Sequence, residues 1–175
     1  MQMLGIQNLV ICPAEGEEHL PVKAGPEEIV CALSYAKAKD VWNRHPDDVL
    51  VVAADTIVWL DGQALGKPRS KEEAAVMLRN LSGRSHEVYT GITLMDSAGC
   101  QSKAERSIVC FRDLSEDEIC RYIQSGEPMD KAGAYGAQGK GALFVRRIEG
   151  DFFNVMGLPL CLLGQMLAAK GVQVL

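Results

Sequence analysis

The run Val49-Leu50-Val51-Val52-Ala53-Ala54 is of strand length and wholly apolar, and it stops at Asp55-Thr56. A strand that alternates polar and apolar residues can lie on a surface, whereas one without a polar residue has to be covered on both faces. That requirement points to the interior of an α/β sheet. Asp55 then stands at the end of a buried strand, the place where open α/β sheets form their ligand crevice. The same position also suits an ordinary turn or cap aspartate.

Around this run the chain alternates strands and helices at first and turns to hairpins later. Ile6 to Cys12 reads as a strand, followed by the acidic loop Glu15-Gly16-Glu17-Glu18. Pro26 opens a helix with Glu27 and Glu28 in its first turn. Its stripe Val30, Leu33, Lys37, Val41 keeps one helical face, so a lysine interrupts a seam expected to be buried. Ile57 to Leu60 forms a second short run before the Asp61-Gly62 turn. Ser70 with Glu73 is a capping box for a helix through Leu81 that Ser82-Gly83 ends, and Ser115 with Glu118 repeats the device before Gly126. Strands from His86 to Met95 and from about Gln101 to Phe111 flank the turn Asp96-Ser97-Ala98-Gly99. Between Asp130 and Gly141 four glycines, Gly133, Gly136, Gly139 and Gly141, make a loop whose backbone can approach a ligand closely. Leu143 to Ile148, a turn at Glu149-Gly150, a short aromatic strand and a helix from Pro159 to about Lys170 complete the pattern. The expected fold is a mixed, twisted sheet flanked by helices, in an α/β arrangement.

Composition narrows the function. Nearly half of the 175 residues are apolar, enough to bury a sizeable core. A net charge of −5 and a pI near 5.2 argue against a surface for duplex nucleic acid or anionic lipid. An anionic substrate would therefore need a locally basic pocket. The six cysteines lie far apart without a CxxC or a nearby histidine pair, and read as reduced core residues. No apolar run approaches the roughly 20 residues of a membrane span, and Met1 is not followed by a basic region and an apolar signal core. The expected compartment is the cytosol.

Several residues could carry chemistry, each with a plainer alternative. Lys67, between Gly66 and Pro68, has an extended backbone that aims its ammonium, or it is a solvated turn lysine. Lys37 either serves a site or snorkels past apolar neighbours. Glu17 and Glu18 are ligands for a cation or solvated loop charges. Taken together they form the inventory of a metal-assisted phosphoryl reaction: acidic oxygens for Mg²⁺ or Mn²⁺, lysines for triphosphate oxygens, and an aspartate to order or deprotonate water. Gln138 offers an amide donor and acceptor that could read a base edge. The chain has no GxxxxGK[ST], GxGxxG after a strand, GxSxG or HExxH. Its histidines, His19, His45 and His86, lie apart and suggest neither zinc nor a triad.

Val51-Val52-Ala53-Ala54-Asp55-Thr56-Ile57-Val58, Leu65-Gly66-Lys67-Pro68, Leu81-Ser82-Gly83-Arg84 with His86, and Thr90-Gly91 follow one another in an order and spacing that resemble Maf proteins. So do Ser125-Gly126-Glu127-Pro128-Met129-Asp130-Lys131-Ala132-Gly133-Ala134-Tyr135-Gly136 through Gln138-Gly139, and Asn154-Val155-Met156-Gly157-Leu158-Pro159-Leu160. The resemblance spans nearly the whole chain. It implies a Maf/inosine-triphosphatase-like architecture with a cleft between two lobes, and hydrolysis of nucleoside triphosphates to monophosphate and pyrophosphate with a divalent cation. It further implies a cytosolic protein that is often dimeric; the charge and hydropathy already point away from nucleic-acid or membrane partners. By position, Asp55 matches the catalytic residue, acting as base, metal ligand or both. Glu17, Lys37 and Lys67 match the acidic and basic pocket residues, with Glu17 and Asp55 as metal ligands. Thr56 and Gln138 match positions linked to base choice. Asp-Thr after the buried strand resembles the branch acting on dTTP and UTP. The alternative is a nucleotide-binding regulator linked to cell division, or a weakly active enzyme.

The resemblance has one gap. Maf proteins open with a strand and a Ser-x-Arg-Arg loop, and residues 1–175 correspond to a single such domain lacking both, beginning at Met3-Leu4-Gly5-Ile6 in what would be the following helix's final turn. An arginine grip on phosphate is worth roughly 2 to 3 kcal/mol, and the lost strand would leave a neighbouring edge unpaired. Either the true start lies upstream of Met1, or the chain is impaired.

Overall fold

Pro26 starts α1, Pro26–Arg44, with a φ already suited to the first helical turn. The Glu28 carboxylate accepts the N–H of Gly25 at 3.3 Å, satisfying a group that the helix itself leaves open. This computed structural model describes residues 5–6, 8–15, 24–45 and 49–174. After α1 come β1, Val51–Leu60, and β2, Gln63–Leu65. They are joined by Asp61 and Gly62 at φ 51° and 80°, the paired left-handed residues of a tight hairpin turn. Then follow α2, Lys71–Leu81, and the hairpin of β3, Ser85–Asp96, with β4, Gly99–Phe111. The last elements are α3, Glu116–Gln124; β5, Val145–Glu149; α4, Phe152–Val155; and α5, Leu160–Ala169.

The caps act as expected. Ser70 accepts from the N–H of Glu73, whose carboxylate reaches one residue further back, to the N–H of Arg69. Ser115 and Glu118 form the complete reciprocal box, and Gly126 follows that helix at φ 78°. The strands form one sheet in the order β2-β1-β3-β4-β5, with every ladder antiparallel.

The two faces of the sheet are covered differently. On one, Ile57 and Tyr89 pack against Ile29, Val30 and Leu33 of α1, and Val51 and Met95 against Ala38. The other carries two separate apolar clusters. Val58, Val88, Val109 and Phe111 pack under Leu78 and Leu81 of α2 and Ile119 and Ile123 of α3. Ile92 and Leu94 pack under Leu163, Met166 and Leu167 of α5. Between these clusters the strands present Thr56 and Thr90, with Asn154 of α4 above them, instead of apolar side chains. This break in the core positions the site.

Three expectations need correction. Among the described residues, Ile6 to Cys12 holds no strand, and Val10 and Ile11 are 78% and 83% exposed; an apolar run cannot become a strand without a partner to pair with. The aromatic strand after Gly150 is instead the short helix α4, because the Asp151 side chain accepts the N–H of Phe153 at 2.7 Å and caps it. The cysteines are free, but none is in the core: Cys12, Cys31 and Cys110 are half-buried, and Cys100, Cys120 and Cys161 are exposed. Cys120, for example, stands one position from the stripe Ile119, Tyr122, Ile123 that α3 buries.

Candidate active site

Asp55 does not end a strand. It sits in the middle of β1, which runs on through Thr56 to Leu60, and lies opposite Gly91 of β3. The two apolar runs that it separates in sequence are one strand, because nine consecutive pairings with β3, from Val51 to Trp59, hold it through the polar step. A crevice at strand ends is therefore not the reason that Asp55 meets a cleft. β2 pairs only with Val58 to Leu60, so the edge of β1 beside Asp55 has no strand partner among the described residues. Side chains from both faces of β1 can line a cleft that opens at this edge.

Asp55 belongs to the face covered by α1, where its carboxylate is ion-paired with the ammonium of Lys37. Its side chain is only 11% exposed, which sets it apart from a solvated turn aspartate. Gly91 makes the pair possible. A Cβ there would stand 2.3 Å from the carbonyl oxygen of Val30, so only glycine lets the backbone of α1 settle onto β3 at this point. Lys37, seven residues beyond Val30 and hence on the same helical face, then comes down on Asp55. The lysine that interrupts the expected seam is partly exposed, and it lines a groove adjoining the cleft.

The cleft itself is about 310 Å³ and brings together Asp55, Thr56, Lys67 and Gln138, four of the residues singled out in the sequence. Lys37 joins them through its ion pair. Glu17 lies outside the described residues. Thr56 points to the face opposite Asp55, where its hydroxyl lies 2.8 Å from that of Thr90, and Thr90 in turn donates to the carbonyl of Asn154 at 2.9 Å. Lys67 is carried on a loop tied down by one backbone bond, from the N–H of Gly133 to the carbonyl of Gly66 at 3.0 Å.

Sequence reasoning did not select three further residues of the cleft: Asp130, Lys131 and Tyr135. All lie in the glycine-rich loop, whose composition was the available signal. Lys131 binds Asp130 at 2.7 Å, and this contact chiefly, with a smaller contribution from the nearby charge of Lys67, holds the Asp130 carboxyl below its ordinary range. Tyr135 is buried, and its hydroxyl is 2.7 Å from Nε2 of His86. Burial pushes the Tyr135 phenol up and the His86 imidazole down to about 4, so both are neutral near pH 7. Ala134, just before it, adopts φ 60°, a left-handed conformation that a non-glycine residue takes only where its surroundings impose it.

Glu127 was also missed, because a glutamate after Gly126 looks like a solvated loop charge. Its carboxylate accepts the N–H groups of Lys140 at 3.1 Å and Gly141 at 3.0 Å and the hydroxyl of Tyr122 at 3.1 Å. The Tyr122 oxygen accepts from the N–H of Gly136 at 3.2 Å. Together they clasp both ends of the segment that carries Gln138. Burial raises the Glu127 carboxyl, but the three hydrogen bonds and the charge of Lys131 outweigh it and leave the group below its ordinary value.

Among the described residues no three His, Cys, Asp or Glu side chains converge. The two carboxylates on the cleft, Asp55 and Asp130, are nevertheless what a hard divalent cation uses when phosphate oxygens complete its shell, since Mg²⁺ is commonly held by one or two carboxylates plus substrate. The donor set fits such a cation. No described helix is long and apolar enough to cross a membrane.

Comparison with known proteins agrees with the motifs. The family described as "Maf-like protein" matches residues 1–170. The chain is similar to the dTTP/UTP pyrophosphatase of Geobacillus sp. (strain WCH70), 49% identical over 161 residues that cover 91% of this chain and 86% of the relative. It is similar also to proteins of that name from Methanosarcina mazei, 42% identical over 99% of this chain and 88% of the relative, and from Bacillus velezensis, 50% identical over 85% and 78%.

Proposed function

The chain belongs to the Maf-like protein family, and from that premise we propose that it is a nucleoside-triphosphate pyrophosphatase acting on dTTP and UTP. One observation carries the reading: an aspartate with little exposure, ion-paired with Lys37, shares a cleft with an exposed lysine and two side chains able to read a base. Neither a solvated turn nor a packed core needs that combination.

In the proposed reaction a water oxygen attacks the α-phosphorus, the bond from that phosphorus to the bridging oxygen breaks, and pyrophosphate leaves with the bridging oxygen. Asp55 orders the water or takes its proton. Lys67 reaches in from its tethered loop to balance charge on the triphosphate oxygens, and Lys131, bonded to Asp130, adds a second ammonium to the cleft lining. Lys37, ion-paired with Asp55, fixes the orientation of its carboxylate. Thr56 and Gln138 meet the base. A divalent cation, Mg²⁺ or Mn²⁺, would neutralise charge on the triphosphate; the cleft carboxylates Asp55 and Asp130 would hold it, with Glu17 added as a ligand by motif resemblance alone. A cytosolic setting and a homodimer belong to the same proposal, on the strength of the motif resemblance alone.

The test measures nucleotide affinity and pyrophosphate release from dTTP and UTP on one sample, with Mg²⁺ or Mn²⁺ and again after chelation. Release that disappears with chelation and returns with the cation is the expected result. Binding without release would replace the enzyme by a nucleotide-binding regulator, and unchanged release after chelation would remove the metal.

A further inference from the structure

We propose that Thr90 is a specificity-positioning residue: it fixes the proton of the Thr56 hydroxyl so that Thr56 meets the base only as a hydrogen-bond acceptor. This selects a base with a ring N–H, as in uracil or thymine, over cytosine. The inference rests on the proposed function in one respect, that the base lies against Thr56 with its ring-nitrogen position, not its exocyclic group, facing the hydroxyl.

The assignment follows from counting protons. A threonine hydroxyl has one proton to donate. Thr90 is fully buried, and its oxygen lies 2.9 Å from the backbone carbonyl of Asn154, which can only accept. The proton of Thr90 is therefore committed to that carbonyl. The contact of 2.8 Å between the Thr56 and Thr90 hydroxyls must then be donated by Thr56. Thr56, on the cleft wall, has no second proton, and only lone pairs remain for a ligand.

Asn154, the end of the chain, is itself immobilised. Its side-chain amide donates to the carbonyl of Val88 at 3.0 Å and to the hydroxyl of Ser107 at 2.9 Å, and the residue is fully buried in the gap between the two apolar clusters. The carbonyl that takes the proton of Thr90 cannot readily turn away.

Gln138 cannot supply this selectivity. Its amide offers both a donor and an acceptor, and it is exposed on a loop, so it can rotate to suit either base. Uracil and thymine present a ring N–H between two carbonyls, whereas cytosine presents a ring nitrogen acceptor beside an amine. Against a fixed acceptor the first arrangement is satisfied, while the ring nitrogen of the second would leave two lone pairs facing each other.

The experiment compares UTP with CTP for binding and for pyrophosphate release, in the unmodified protein, Thr90→Val and Thr90→Ser. The unmodified protein should prefer UTP by roughly tenfold or more. Thr90→Val keeps the shape but frees the Thr56 proton to point at the ligand, and should shrink that preference by a similar factor. Thr90→Ser retains the relay and should keep it. Equal losses for both nucleotides in Thr90→Val, with the ratio intact, would reduce Thr90 to a packing residue and overturn the proposal. Should Thr90→Val not fold, UTP methylated at the ring nitrogen, which has lost the N–H, is offered to the unmodified protein: weaker binding by tenfold or more supports the acceptor role, and binding equal to UTP overturns it. Selective binding without pyrophosphate release would sink the proposed reaction while leaving the base-reading relay in place.

Discussion

The ammonium of Lys37 on α1 is ion-paired with the carboxylate of Asp55 in the middle of β1, and the contact depends on the bare backbone of Gly91 beneath it. A mid-strand aspartate is a poor choice for sheet stability. Here it is held by register on one side and by a helix lysine above. Asp55→Asn retains the volume and removes the charge. Pyrophosphate release should fall by about 10²-fold or more while the thermal unfolding transition persists. Near-normal turnover would take Asp55 out of the mechanism.

Gly91→Ala tests the seat of that pair. The added carbon would lie 2.3 Å from the Val30 oxygen, a backbone atom, so α1 has to move. Overpacking of this kind costs about 1–3 kcal/mol. Urea unfolding should register that loss, and turnover should fall further than stability alone explains, because Lys37 shifts with the helix. Unchanged stability would mean that α1 can slide freely over β3.

Removal of the Glu127 clasp should act on binding. Glu127→Ala leaves the N–H groups of Lys140 and Gly141 without their carboxylate and loosens the segment carrying Gln138. KM for the nucleotide is expected to rise roughly tenfold, with a smaller change in kcat. The pH dependence has a definite sign. A carboxyl held below its ordinary value of 4.5 stabilises the fold above that pH, and the contribution is lost as pH falls through the lowered native value. The stability gap between the parent and Glu127→Gln should therefore narrow on acidification below about 4.5. A gap that widens instead would show that the clasp does not depend on charge.

His86 makes a second acid-sensitive point. Desolvation lowers its imidazole from 6.5 to about 4. The native state resists a proton that the unfolded chain accepts, so stability is complete above pH 6.5 and declines as pH falls toward 4, by about 3 kcal/mol over the window. Urea midpoints measured between pH 7 and 4 should follow that slope, and His86→Phe should flatten it. An equally steep slope in the variant would assign the effect to other groups.

Local chemistry made much of this molecule legible in the sequence. Pro26, Ser70 with Glu73, Ser115 with Glu118 and the Asp61-Gly62 turn each act through atoms a few residues away, and their elements form where the pattern places them. The strands from His86 and to Phe111 read correctly for the same reason. Short-range rules also misled. Ile6 to Cys12 has the composition of a strand without a pairing partner among the described residues, and Phe152-Phe153 has the propensity of a strand but follows a capping aspartate.

The site divides along the same line. Residue types and motifs singled out Asp55, Lys67 and Lys37 as candidates for phosphate chemistry and Thr56 and Gln138 as candidates for reading a base. All of them meet at the cleft or through the ion pair beside it. Their meeting was not legible in the sequence, because it depends on contacts between residues distant in the chain. Pairing with β3 holds β1 as one strand through Asp55, Gly91 admits α1, and Gly133 tethers the loop of Lys67. Least visible of all was the direction of one proton. Thr56 alone can donate or accept, and only its contact with Thr90, committed to Asn154, decides between them, since a hydroxyl's role is set by its neighbours in space and not by its place in the sequence.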